Sequence, residues 1–112
     1  MKLRNIIFYV SNIATVVEFY KKLGFDIAED FGNFVSFATD DKHINFSLME
    51  DKTDPTKVPG KQVCVFYSED IETLYEKVKE LNIAIATELY KAPFGKTFAI
   101  RDPDGNKIEF VQ

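Results

Sequence analysis

One histidine, one cysteine and a scatter of carboxylates are the reactive groups that stand out in these 112 residues. An imidazole beside a thiol or hydroxyl makes a nucleophile, and an imidazole grouped with carboxylates makes a metal site. Neither grouping is set up by the spacing. His43 follows the turn sequence Asp40-Asp41-Lys42, where a lone histidine faces solvent or caps the turn. Cys64 sits in the run Val63-Cys64-Val65-Phe66 and reads as a small buried apolar residue. A Cys64/His43 pair would need that buried face to be reactive. No Gly-x-Ser-x-Gly sequence occurs, and the five glycines are isolated, so no phosphate-cradling loop is formed. A Ser/His/Asp triad would have to use His43. A single cysteine allows neither an intrachain disulfide nor a Cys-rich zinc site. Glu109, between Ile108 and Phe110, reads from alternation as a surface residue of a strand.

The elements that must position these groups are legible. Leu3 to Val10 is rich in Ile, Phe, Tyr and Val, as strands are. Asn12 is a helix N-cap, and Ile13, Val16, Val17, Phe19, Tyr20 and Leu23 recur at helical spacing up to Gly24, which predicts a helix over 12–23. Phe25–Glu29, Phe34–Thr39 and Ile44–Met49 read as strands separated by turns at Phe31-Gly32-Asn33 and Asp40-Asp41-Lys42. From Glu50 to Gly60 the composition turns to Asp, Lys, Thr and Pro, marking a connector. Gln62–Tyr67 is again a strand, and Asp70 caps a helix carrying Ile71, Leu74, Tyr75, Val78 and Leu81, with Asn82 ending it. Ile83–Leu89, Thr97–Arg101 and Lys107–Val111 supply three more strands. Tyr90–Lys96 reads as a loop and Asp102-Pro103-Asp104-Gly105-Asn106 as a hairpin turn.

The chain thus repeats a βαβββ pattern. At an offset of 58 residues Phe8, Tyr9, Asn12, Ile13, Leu23 and Ile27 fall on Phe66, Tyr67, Asp70, Ile71, Leu81 and Ile85. Later, Ile44-Asn45-Phe46 falls on Ile108-Glu109-Phe110 at an offset of 64. Residues 1–112 are expected to form one domain of α+β class, with module one at 1–50, a connector at 51–60 and module two at 61–112. A chain of this length buries enough surface to fold without a disulfide or metal. The net charge of −4, with scattered basic residues, argues against a nucleic-acid partner. The apolar run Ile6–Val10 is too short for a secretory signal or a membrane span, so a soluble, cytoplasmic protein is expected.

Two βαβββ units, Asn12 after the first strand, Phe19-Tyr20-x-x-Leu23-Gly24-Phe25 closing the first helix, and Phe98-x-x-x-Asp102-Pro103-Asp104-Gly105-Asn106-x-Ile108-Glu109 together resemble the vicinal oxygen chelate superfamily, also called the glyoxalase/bleomycin-resistance/dioxygenase superfamily. The resemblance spans the whole chain. It implies a cupped mixed sheet with the helices on its outer face. It also implies a reaction or ligand drawn from a wide set, because the superfamily holds metal lyases, isomerases, ring-cleaving dioxygenases, thiol transferases and non-catalytic drug binders. A fold does not name its chemistry.

In that superfamily one divalent metal is held by residues of the first and fourth strands of each module. The resemblance carries those positions onto Asn5, Asn45, Val63 and Glu109. Only Glu109 is a usual ligand; amides bind hard ions weakly, and Val63 has no donor. Shifting register by one or two residues offers Gln62, Ser47 or His43, and none restores a good site. No metal ligand and no cofactor are therefore predicted, with a divalent metal as the alternative, and any catalytic role falls to Glu109. Strand alternation lists the cup lining as Asn5, Ile7 and Tyr9, then Asn45, Ser47 and Met49, then Val63, Val65 and Tyr67, and finally Lys107, Glu109 and Val111. Ile6, Phe8, Val10, Ile44, Phe46, Leu48, Cys64, Phe66, Ile108 and Phe110 would pack beneath the helices. The expectation is a metal-independent binder of an amphipathic or antibiotic-like small molecule. Glu109 would meet a cationic group of that ligand, and the resemblance implies a homodimer. The alternative is a metal-dependent lyase or dioxygenase with a degenerate ligand set.

Overall fold

A computed structural model describes residues 1–112. The elements run β1 (Asn5–Tyr9), α1 (Ile13–Leu23), β2 (Ile27–Asp30), β3 (Phe34–Ala38), β4 (Asn45–Met49), β5 (Val63–Tyr67), α2 (Ile71–Glu80), β6 (Ile85–Ala92), β7 (Gly95–Arg101) and β8 (Lys107–Val111). The α+β class and the doubled βαβββ order hold. The strands form two mixed four-stranded sheets, ordered β1-β4-β3-β2 and β5-β8-β7-β6. In each, the first and fourth strands run parallel and the remaining pairs antiparallel. No helix is long and apolar enough to cross a membrane.

Local chemistry sets the helix ends. The Asn12 side-chain oxygen accepts from the Thr15 N–H at 3.2 Å, and Asp70 does the same for Thr73 at 3.2 Å, each satisfying a free N–H of a first turn. Gly24 (φ +111°) closes α1 in the left-handed region, with its N–H bonded to Lys21 O. Asn82 (φ +59°) takes the corresponding left-handed position just after α2. Because Phe25 N–H still bonds back to Tyr20 O, β2 begins at Ile27 and not at Phe25.

Tyr90–Lys96 is not a loop: β6 continues to Ala92 and β7 starts at Gly95, with Tyr90 opposite Thr97, Lys91 opposite Lys96, and Ala92 opposite Gly95. Pro93 and Phe94 alone make the turn. A Cβ at Gly95 (φ +136°) would lie 2.3 Å from the Gln112 carbonyl oxygen, so this glycine marks a strand approached closely by the chain's last residue.

Alternation sorts the strand residues as expected. Phe8, Val10, Phe46, Leu48, Cys64, Ile108 and Phe110 are buried with Val16, Tyr20 and Leu23 of α1 and Ile71 and Val78 of α2 in one cluster that draws on both halves. Ile6, Ile44 and Phe66 are only half-buried. Phe66 bridges the halves, with ring centroids 5.3 Å from Phe25 and 5.5 Å from Phe46. A buried polar tie reinforces this junction. The Tyr20 hydroxyl donates to Asp102 Oδ2 at 2.9 Å, and Asn106 Nδ2 donates to Asp102 Oδ2 and to the Tyr9 carbonyl, each at 3.0 Å.

Candidate functional site

The opposite face of each sheet carries the residues expected to line a cup. On the first sheet Asn5 pairs with Asn45, Ile7 with Ser47, and Tyr9 with Met49. Ser47 has no exposed surface; its hydroxyl donates to Asn5 Oδ1 at 2.7 Å and lies 2.9 Å from that of Ser36. Ser47 therefore holds Asn5 from beneath and presents no surface of its own. Asn5, with its side-chain oxygen already accepting, has less capacity left for a ligand.

On the second sheet Val63 lies opposite Lys107, Val65 opposite Glu109, and Tyr67 opposite Val111. This register revises the internal repeat. Asn5 pairs with Asn45 as Val63 pairs with Lys107, so Lys107 is the counterpart of Asn45, and Glu109 that of Ser47. The 64-residue match of Ile44-Asn45-Phe46 to Ile108-Glu109-Phe110 is two residues out. It keeps the right face because strand side chains alternate with period two.

A cavity of about 130 Å³ contains Glu109. Its walls include Thr87 and Tyr90 of β6, Thr97 of β7, Lys107 of β8, and Phe94 from the β6–β7 turn. None of the predicted lining residues of the first sheet reaches it, and of those on the second sheet only Lys107 and Glu109 do. Lys107 Nζ sits 2.9 Å from Glu109 Oε1, and both side chains are about two-thirds buried. The site thus offers an ion pair, the Thr87 hydroxyl and two aromatic rings, while the Thr97 hydroxyl already donates to the Phe110 carbonyl at 2.7 Å. Such a set orients an amphipathic molecule by its polar end. Lys107 also limits Glu109: a cationic ligand must displace the lysine, whereas a ligand with both signs or a donor–acceptor pair can bridge the two. Thr87, Tyr90 and Thr97 were missed by sequence reasoning. Antiparallel pairing of β6 and β7 alongside β8 puts them on the face of Glu109, and the loop reading of 90–96 hid that. Phe94, in the turn between β6 and β7, also lines this cavity.

The donor set does not fit a divalent metal. No group of three or more His, Cys, Asp or Glu side chains converges anywhere. Val63 offers no donor atom, Asn5 accepts from Ser47, and Glu109 is tied to Lys107; a single carboxylate and two amides make a poor site for zinc, nickel or iron. Cys64 is buried, and that burial raises its thiol above the ordinary value, which disfavours the reactive thiolate. His43 lies on an exposed turn whose N–H bonds to Asp41.

Beside the cavity, β5 is an edge strand that leaves Val63 58%, Val65 53% and Tyr67 71% exposed, and Phe94 at the cavity mouth is 69% exposed. Large apolar side chains on one face of an edge strand are unusual for a surface meant to face water.

Comparison with known proteins agrees with this architecture. Among solved structures, the chain is similar to TnmS3, an antibiotic binding protein from Streptomyces sp. CB03234, with a TM-score of 0.86 and 21% identity over 100% of this chain and 95% of that one. It is also similar to a glyoxalase/bleomycin resistance protein from the same Streptomyces, with a TM-score of 0.82 and 23% identity over 99% and 100% of the two chains. A lactoylglutathione lyase from Agrobacterium tumefaciens matches with a TM-score of 0.78 and 20% identity over 97% and 91%. At these identities the likeness is one of fold. No curated protein matches the chain by sequence. The sequence profile that matches, over residues 2–110, is that of the Glyoxalase/Bleomycin resistance protein/Dioxygenase superfamily, and the chain belongs to that superfamily.

Proposed function

We propose that this protein is a metal-independent binder of an amphipathic or antibiotic-like small molecule, working as a homodimer. Glu109 is the polar anchor, and Tyr90 and Phe94 are apolar walls. The observation that carries this reading is the state of the superfamily's metal positions. Val63 stands where a ligand is needed, and the single carboxylate is already paired with Lys107. A site so arranged can bind and orient a molecule but has little to polarise it with. The antibiotic-binding function of a relative with the same fold is consistent with this reading.

Size supports a dimer. A cavity of about 130 Å³ is well below the roughly 300–1,000 Å³ of sites that enclose drug-sized molecules. The exposed Val63, Val65 and Tyr67 lie along the strand next to Glu109. A second copy laid against that face would enlarge the cavity and cover the apolar stripe. Asn5, Ile7, Tyr9, Asn45 and Met49 of module one would then serve as the facing wall, contributed by the partner copy.

The test is native mass spectrometry of untagged wild type and Glu109→Ala, each with a circular dichroism spectrum. The expected result is an organic adduct on wild type that is reduced or lost in a variant that still folds. An adduct of equal occupancy on the variant would remove Glu109 from the site. A variant that does not fold would assign Glu109 to structure.

A further inference from the structure

Two serine hydroxyls are buried beneath an amide on the cup face of module one. Ser36 of β3 is 2% exposed and Ser47 of β4 not at all. Their hydroxyl oxygens lie 2.9 Å apart, and the Ser47 hydroxyl is 2.7 Å from Asn5 Oδ1 of β1. Neither hydroxyl has another partner. Each carries one proton, so a single arrangement uses both: Ser36 donates to Ser47, and Ser47 donates to Asn5 Oδ1. Turning the Asn5 amide over would make its NH2 donate to Ser47, send the Ser47 proton to Ser36 and leave the Ser36 proton buried without an acceptor, which is costly. The two serines therefore hold the amide with its oxygen inward. Asn5 Nδ2 has no acceptor within the chain, and no buried side-chain nitrogen or oxygen lacks a partner, so this NH2 opens at the surface of a half-buried residue.

The neighbouring positions define what such a donor would meet. Asn45 stands opposite Asn5, half-buried, and its side chain makes no hydrogen bond within the chain. Ile7, Tyr9 and Met49 follow on the same face, each half-buried. No paired position of β1 and β4 on this face carries a charge, and Glu29, in register with Ser36, is three strands from Asn5. A fixed donor in a neutral, otherwise largely apolar setting suits an uncharged acceptor oxygen. The corresponding positions of module two, Val63, Lys107 and Glu109, carry the ion pair instead, so the two walls read different groups.

We propose that Asn5 Nδ2 donates to a carbonyl oxygen of the cup's ligand, an uncharged ketone or amide group on an apolar body lying along Ile7 and Tyr9, with Ser36 and Ser47 as the positioning residues that fix the donor. This rests on the reading of the cup as a ligand site and adds to it the chemical class of one end of the ligand.

The experiment is a titration of isotope-labelled full-length protein with acetophenone and with α-methylstyrene, which has the same shape but carries CH2 in place of the carbonyl oxygen. Amide shifts report where each probe binds and how tightly. The Asn5 side-chain NH2 and the Ile7 and Tyr9 amides should move, with acetophenone binding about five-fold more tightly than its hydrocarbon twin, the contribution of one hydrogen bond between neutral groups. Asn5→Asp keeps an oxygen for Ser47 and puts a second oxygen where the NH2 stood, so the preference should vanish or reverse. Ser36→Ala combined with Ser47→Ala leaves the NH2 in place but unheld, and the preference should fall to about two-fold or less; this variant decides the matter if circular dichroism shows that Asn5→Asp does not fold. Equal binding of the two probes by wild type, or a preference that survives in either folded variant, overturns the proposal and leaves the cup reading standing. Shifts confined to Thr87, Tyr90 and Glu109 do the same. An absence of shifts on both walls overturns the cup reading and this proposal with it.

Discussion

Replacing Tyr20 with Phe removes one oxygen from the junction between the halves and leaves the ring in place. Tyr20 has no exposed surface, and Asp102 is only 5% exposed. The hydroxyl donates to Asp102 Oδ2 at 2.9 Å. The ring's contacts with Phe25 and Phe46, at centroid distances of 5.7 and 5.2 Å, survive the change. A hydrogen bond to a charged group contributes roughly 1.5–3 kcal/mol. Asp102 keeps Asn106 Nδ2 and the N–H groups of Asp104 and Asn106 as donors, so the carboxylate is not stranded and the loss should be about 2 kcal/mol. For a domain of this size that is a fall in Tm of about 8 °C. Urea unfolding followed by circular dichroism at pH 7 measures it, with an unchanged m value showing that the unfolded reference is the same. Coupling to Asp102→Asn in a double-mutant cycle separates the bond from effects of the ring. A loss below about 0.5 kcal/mol, within the range of an ordinary surface substitution, would refute the view that this bond locks the junction.

Three further perturbations bear on the same framework. Burial, outweighing its hydrogen bonds, raises the Asp102 carboxyl above 3.8, so the native state holds that proton more tightly than the unfolded chain does. Its stabilisation is complete below the unfolded value and is lost as pH rises through the folded one. Wild type, measured relative to Asp102→Asn, should therefore lose stability as pH rises above about 4, and a flat difference across that window would contradict this. Gly60→Ala forces a side chain onto a left-handed residue (φ +82°), with its Cβ 2.2 Å from the Asp104 carbonyl oxygen; the expected cost is at least about 2 kcal/mol, read as a lower thermal midpoint. Val65→Glu places a charge on a side chain 53% exposed in the single chain. The fold should be retained while sedimentation should show the proposed dimer dissociating at higher concentration than for wild type, and an unchanged dimer would move the interface away from β5.

Much of this architecture could be read from residue spacing. Asn12 with Gly24, and Asp70 with Asn82, bracket the two helices because caps act within one turn of the chain. Alternation on β1, β4, β5 and β8 assigned the core face because the apolar side chains on it are buried, although Ser47 on the other face of β4 is buried as well. The β6–β7 hairpin was misread where Pro93 and Gly95 fall close together; those residues signal a turn but not its length, and cross-strand pairing lies outside any local window. The cavity around Glu109 was only partly legible for the same reason. Tyr90 and Thr97 reach it through that hairpin, and the Lys107–Glu109 pair depends on side-chain placement that alternation leaves open. The Tyr20–Asp102 bond joins residues 82 positions apart, and no local pattern announces it.

In the proposed function the cup binds an organic molecule without a metal. Native mass spectrometry of untagged protein, incubated with equimolar nickel and zinc and then desalted, tests it most directly. A dimer that retains no metal and carries an organic adduct is the predicted spectrum. A dimer retaining one metal ion per chain would contradict it, and would mean that Glu109 leaves Lys107 and recruits ligands that the present geometry keeps apart.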